Sequence, residues 1–252
     1  MHVNGLTIRT FANADSVARA LARHIARSLQ QMPHLVLGLP TGRTPIPLYA
    51  ELVRLHDAGL ASFAEATTFN LDEFLGIEGT NPCSYRAFMD RHLFAHVDIR
   101  SRRIHFLNGA ADDPNAECRR YERQIARAGG IDLLLLGLGT NGHIGFNEPG
   151  VSLMSATHRT RLTTTTRRAN ASLFGGRAAN VPREALSMGM GTILHARRII
   201  LLATGPAKAA AVRRLVRGPI TPKVPASFLQ VHRSVEVWVD RAAGAQLTEG
   251  EA

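Results

Sequence analysis

Six apolar runs punctuate the chain: Leu35–Leu39, Thr67–Leu71, Ile104–Leu107, Ile131–Leu138, Ile199–Ala203 and Val235–Val239. Their hydrophobicity is continuous and not alternating, the pattern of a strand covered on both faces, as in a parallel sheet. Between them the period changes. Val17, Leu21, Ile25 and Leu29 recur at helical spacing while Arg19, Arg23 and Arg27 point away. A second helix is predicted from Pro45 to His56, stopping at Gly59. A third opens on Asp113-Pro114, a cap followed by an N1 proline, and ends at Gly129-Gly130. Strands alternating with helices predict an α/β fold: a doubly wound, mostly parallel, Rossmann-like sheet with helices on both faces. No repeat or linker divides residues 1–252, so a single domain is expected. From about Ala242 the residues are small and polar, and a disordered tail is predicted.

Composition narrows the setting. With 45% hydrophobic and 20% charged residues the chain is an ordinary globular protein. The run Ile131–Leu138 is too short to span a bilayer and Asp132 interrupts it. MHVNGLTIRT lacks the pattern of a secretory signal, and Cys83 and Cys118 form neither a disulfide framework nor metal-ligand spacing. No membrane and a cytoplasmic location are expected. The net charge of +10 raises nucleic acid as a partner, but all 30 basic residues except Lys208 and Lys223 are arginine, scattered and without interleaved aromatics. Solvated helix faces account for them, and no nucleic-acid partner is expected. A positive field still favours an anionic substrate.

Ligands of such sheets bind beyond the carboxyl ends of the strands, and four segments lie there. GLPTGRTP, Gly38–Pro45, joins a strand to a helix. It reads either as a tight turn with a cap or as a cradle in which Gly38, Thr41, Gly42, Arg43 and Thr44 meet an anion at a helix N-terminus. No Gly-Lys-Ser/Thr follows, so it is not a Walker loop. TFNLDEFLG places Asp72 and Glu73 at a strand end, as solvated carboxylates or as a base and its neighbour. LLLLGLGTNGHIGFNEPG presents Asn141, His143 and Glu148 in a glycine-rich turn. Histidine shuttles protons near neutral pH and a carboxylate fixes its tautomer, so this turn points to function. In ATGPAKAAAVRRLVRG, Lys208 enters the first turn of a helix against the helix dipole, an unfavourable place unless a phosphate is near.

Taken together, LGLPTGRTP, TFNLDEFLG, NP-x-SYRAFM, LLGLGTNGHIGFNEPG, VPREALSMGMGTIL and PASFLQVH resemble the glucosamine-6-phosphate deaminase family over nearly the whole chain. The resemblance implies an enzyme of amino-sugar catabolism. It would convert glucosamine 6-phosphate and water to fructose 6-phosphate and ammonia, with no metal or other cofactor. His143, supported by Glu148 and Asn141, would open the sugar ring. Asp72 would carry a proton between C2 and C1, and the Gly38–Thr44 loop with Lys208 would hold the phosphate. The partner implied is a phosphorylated amino sugar; monomer and homo-oligomer both stay open. Galactosamine 6-phosphate is an alternative substrate. The related 6-phosphogluconolactonases usually carry Asp-Glu-Arg where this chain has Asp72-Glu73-Phe74. A non-enzymatic sugar-phosphate sensor would need a DNA-binding segment, for which no spare chain exists.

Three positions depart from the family pattern. Asn141 stands where some members have aspartate. Ser172, in NASLF, stands where an arginine usually meets the substrate phosphate, while Arg43 occupies a phosphate-loop position that is usually small. Arg43 is expected to supply the missing guanidinium from the other side of the pocket. In SATHRTRL, Thr160-Arg161 does not match the pattern of members activated by N-acetylglucosamine 6-phosphate, so no such activation is expected.

Overall fold

A computed structural model describes residues 1–247. Its strands are β1 (His2–Val3), β2 (Leu6–Phe11), β3 (Val36–Leu39), β4 (Thr67–Asn70), β5 (Asp72–Phe74), β6 (Ile104–His105), β7 (Leu133–Gly137), β8 (His158–Arg161), β9 (Glu184–Ser187), β10 (Arg198–Ala203) and β11 (Val235–Asp240). Its α-helices are α1 (Ala14–Gln31), α2 (Ile46–Asp57), α3 (Tyr85–His92), α4 (Pro114–Arg127), α5 (Thr164–Asn170), α6 (Met190–Leu194) and α7 (Ala209–Arg217).

The helices begin where the sequence supplies a cap. Asn13 accepts the Ser16 amide at 2.9 Å and opens α1, whose buried stripe is the expected Val17, Leu21, Ile25 and Leu29. Asp113 accepts two amides at the start of α4, with Pro114 as its first residue. Eight strands form the main sheet in the order β1-β2-β11-β10-β7-β3-β4-β6, parallel throughout except for the β1–β2 hairpin. Alternate side chains feed two cores. Leu134, Leu136 and Leu201 enter one, and Leu133, Leu135, Ile200 and Leu202 the other. Both faces are therefore covered, as the unbroken apolar runs require.

The doubly wound expectation holds, with additions. Leu6–Phe11 is a sheet strand that the apolar runs did not mark, paired in parallel with β11. A second, antiparallel sheet, β5-β9-β8, was not anticipated. Its sequences, DEF, HRTR and EALS, are too short and too polar to show a period. The strand expected from Ile131 begins at Leu133, because the Asp132 carboxylate accepts the Val36 amide at 2.9 Å and pairs with Arg197. The tail expected to be disordered from about Ala242 is packed as far as it is described. Ala243 and Leu247 are buried, and Arg217 donates to the Leu247 carbonyl at 2.6 Å. Residues 248–252 of that tail lie outside the described residues.

Winding reverses between β3 and β7. From β3 the chain builds outward to β4 and β6, then returns to lay β7 on the other side of β3. The loops leaving the carboxyl ends of β3 and β7 splay apart at this point and leave a crevice. Tyr121 of α4 secures its neighbour: fully buried, it donates its hydroxyl to the Asn70 carbonyl at 2.5 Å, two residues before Asp72. Tyr121→Phe leaves that carbonyl without this donor in a dry core. A loss of about 1–2 kcal/mol is expected, seen as a fall of roughly 2–6 °C in melting temperature. An unchanged melting temperature would show that the hydroxyl does not hold the strand end.

Candidate active site

The crevice is a cleft of about 320 Å³ walled by the loops after β3, β4, β7 and β10 and by one face of α5. Thr41, Gly42, Arg43, Thr44, Asp72, His143 and Lys208 line it together, although they come from four separate stretches of sequence. Gly38, Asn141 and Glu148 do not line it. Gly38 stays within β3, where a Cβ would lie 2.2 Å from Leu134 Cδ1; its role is to let β7 approach, not to touch an anion.

The base of the cleft is acidic. Leaving β4, the chain makes one residue of connection and enters β5, so Asp72 and Glu73 are both buried, 7% and 1% exposed. The solvated-loop reading of this pair is therefore overturned. Glu73 points away from the cleft and accepts the amides of Phe74 and Tyr85 at 2.9 Å and of Arg86 at 3.0 Å, pinning the start of α3. Burial lifts its pKa to about 7 against the pull of those three amides. No described residue donates a hydrogen bond to the Asp72 carboxylate. Burial, reinforced by the charge of Glu73, raises it to about 8. A carboxyl group so placed takes and returns protons near neutral pH.

The β7 loop folds down over this carboxylate because it is built of glycine where contact is closest. Gly145 has φ +55°, and a Cβ there would lie 3.1 Å from Ser187 Oγ and 3.7 Å from Asp72 Oδ2. Ser187, on β9, accepts the Phe146 amide at 3.0 Å and fixes the descent. Gly139 makes room for the imidazole: a Cβ there would fall within 2.5 Å of three His143 ring atoms. Behind the ring stands Glu148, with Oε2 at 3.6 Å from His143 Nδ1. That is an electrostatic contact, longer than a hydrogen bond. Asn141 joins the two, donating from Nδ2 to Glu148 Oε2 at 3.0 Å and accepting the His143 amide at 3.2 Å. Burial alone would raise the Glu148 carboxyl. The nearby His143 ring, with hydrogen bonds from Thr166 and Asn141, outweighs it and holds the group at about 2.

The opposite end is cationic. Lys208 Nζ donates to the Leu138 carbonyl at 2.6 Å, and burial together with the charge of Arg43 lowers its pKa. Asp240 shapes its turn by accepting the Gly205 amide. Among the described residues the Arg43 guanidinium has no hydrogen-bond or ion-pair partner. Arg43 and Lys208 thus repel each other at one end of the cleft, and no carboxylate among the described residues pairs with either. Ser172 is exposed and lies outside the cleft.

Two further wall residues make contacts not assigned from the sequence. Tyr85 donates to Asn170 Oδ1 at 2.9 Å across the mouth, and Thr166 bonds Glu148 from α5. Nothing in the spacing of α5 marks it as part of a site. Among the described residues no three His, Cys, Asp or Glu side chains converge as a metal-ligand set.

The raised pKa of Asp72 has a cost in stability. The unfolded chain releases this proton near 3.8 and the folded chain only near 8, so stability falls as pH rises between those values. Asp72→Asn is therefore expected to melt above the parent at pH 8 and higher, the gap closing toward pH 4. A gap independent of pH would mean that the carboxyl is not buried in its neutral form.

Residues 10–238 match the profile of the glucosamine-6-phosphate isomerase/6-phosphogluconolactonase family. A glucosamine-6-phosphate deaminase from Hahella chejuensis is 51% identical over 233 residues, 92% of this chain and 88% of the relative. One from Rhodopirellula baltica is 48% identical over 245 residues, 97% of each chain. A solved monomeric glucosamine-6-phosphate deaminase superposes with a TM-score of 0.92 at 43% identity, covering 95% of this chain and 99% of that one. The 6-phosphogluconolactonase of Trypanosoma brucei, at 20% identity and a TM-score of 0.75 over 96% of this chain and 98% of its own, shares the fold. On both sequence and structure, this chain is a member of the glucosamine-6-phosphate isomerase/6-phosphogluconolactonase family.

Proposed function

We propose that the protein is a glucosamine-6-phosphate deaminase, converting glucosamine 6-phosphate and water to fructose 6-phosphate and ammonia. One observation carries the reading: a single cleft holds an unpartnered buried carboxyl, a histidine backed by Glu148 from behind the wall and, at its far end, two cations that no described carboxylate pairs with. A phosphorylated amino sugar fills all three. Its phosphate meets Arg43, Lys208 and the hydroxyls and amides of the Thr41–Thr44 loop, and that remote binding energy holds the reacting carbons in place. His143, backed by Glu148 and Asn141, moves the proton between the ring oxygen and the C1 hydroxyl that opens the pyranose. Asp72 then takes the C2 proton, leaving an enolamine, and returns it to C1. Water adds to the resulting C2 iminium and ammonia leaves. The C2 ammonium of the arriving sugar favours the ionised form of Asp72 in a site that otherwise keeps it neutral.

Arg43 is the part of this reading peculiar to the chain. It reaches the cleft from the β3 loop, while none of the α5 residues that line the cleft, Thr165, Thr166, Ala169 and Asn170, carries a guanidinium. The cytoplasm is the proposed setting, in keeping with the free cysteines Cys83 and Cys118. No helix among the described residues is long and apolar enough to cross a membrane.

Ammonia release coupled to fructose 6-phosphate formation is expected with glucosamine 6-phosphate, and at a lower kcat/KM with galactosamine 6-phosphate. Release from neither sugar, or faster hydrolysis of 6-phosphogluconolactone, would overturn the assignment. Arg43→Ala is expected to raise KM for the phosphosugar by about tenfold or more while kcat changes little, as loss of one charge-assisted phosphate contact predicts. An unchanged KM would remove Arg43 from the phosphate site.

A further inference from the structure

Glu148 is not in the cleft wall, yet it touches both sides of the cleft. Through Oε2 it faces His143 and accepts from Asn141. Its other oxygen, Oε1, accepts two hydroxyls from α5: Thr163 Oγ1 at 3.2 Å and Thr166 Oγ1 in a shorter bond. Thr166 is 1% exposed and contributes to the cleft wall. Thr163 is at the same time the N-cap of α5, accepting the Thr166 amide at 3.2 Å. The helix so anchored brings Ala169 and Asn170 to the wall, and Asn170 is in turn held by Tyr85 across the mouth.

A carboxylate on a flexible stem turns easily about its last bond, a broad two-fold torsion. Two donors on Oε1 remove that freedom and leave Oε2 facing the imidazole. A threonine hydroxyl in a helix commonly bonds back to a carbonyl one turn earlier; that of Thr166 is directed to Glu148 instead. We infer that Thr166 is a positioning residue for the reaction, its hydroxyl locking the Glu148 carboxylate toward His143 and so tying the seating of α5 to proton transfer at the sugar ring. The inference rests on the reading of the cleft as an amino-sugar phosphate site. The link acts in both directions: whatever displaces α5 releases Glu148, and whatever neutralises Glu148 loosens α5.

Thr166→Val keeps the shape and removes the hydroxyl. The expected result is a fall in kcat of about ten- to a hundredfold with KM within about threefold, the mark of an interaction made in the transition state. Thr166→Ser is expected to restore most of the rate. In a Glu148→Ala background, Thr166→Val is expected to cost less than about twofold, since the acceptor is already gone. The same double-mutant cycle read in urea unfolding tests the lock without the reaction, and non-additive stabilities are expected. Ammonia release by the parent tests the cleft reading separately. Equal kinetic factors in both backgrounds, additive stabilities in the cycle, or no rescue by serine would overturn the proposal.

Discussion

Two adjacent carboxylates lie buried in β5, just past the end of β4, and the surrounding structure treats them in opposite ways. Glu73 receives three amides from its own strand and from the first turn of α3, so its side chain becomes part of the scaffold. Asp72 receives none and is left facing the cleft under a layer of glycine backbone. Burying an unpaired acid is unfavourable, and it persists because the second sheet encloses it. Strand β5, which carries Asp72, pairs with β9, and β9 supplies the Ser187 that holds the β7 loop down. Were β5 an open loop, Asp72 would be an ordinary surface aspartate with the acidity of one.

The remainder of the cleft follows from the reversal of winding. Because β7 returns beside β3, the cation-bearing β3 loop and the histidine-bearing β7 loop face each other instead of lying in sequence along one edge. Proton-moving groups collect over β4 and β7, while cations collect over β3 and β10. On the proposed reading, a substrate would be gripped at one end and worked on at the other. The separation keeps Arg43 and Lys208 from pulling the pKa of Asp72 back down.

Much of this was legible in the sequence. The unbroken apolar runs revealed a sheet covered on both faces, and placing Asp72, His143 and Lys208 just after strands was enough to bring them together. What could not be read had a physical reason in each case. Strands β5, β8 and β9 are short and half-polar, with no period to detect. Gly38 looked like part of the anion loop, but its missing side chain serves sheet packing against Leu134. Glu148 was found as a partner of His143. Its second pair of contacts was not, because they come from threonines on a helix whose position depends on tertiary packing alone.

That helix is an unusual piece of chain. Thr163 to Thr166 is an uninterrupted run of four threonines, and the helix they open spans seven residues, Thr164–Asn170. β-Branched residues are poor helix formers, and isolated helices below roughly 12–15 residues are marginal even with good ones. The local sequence therefore supplies almost none of the free energy that keeps α5 wound. It comes from outside: from Glu148 at one end, and from Arg167 donating to the carbonyls of Ala178 and Val181 on its far side. One wall of the cleft is thus a conditional structure, wound by contacts made elsewhere in the fold, among them those to a single carboxylate on the far side of His143.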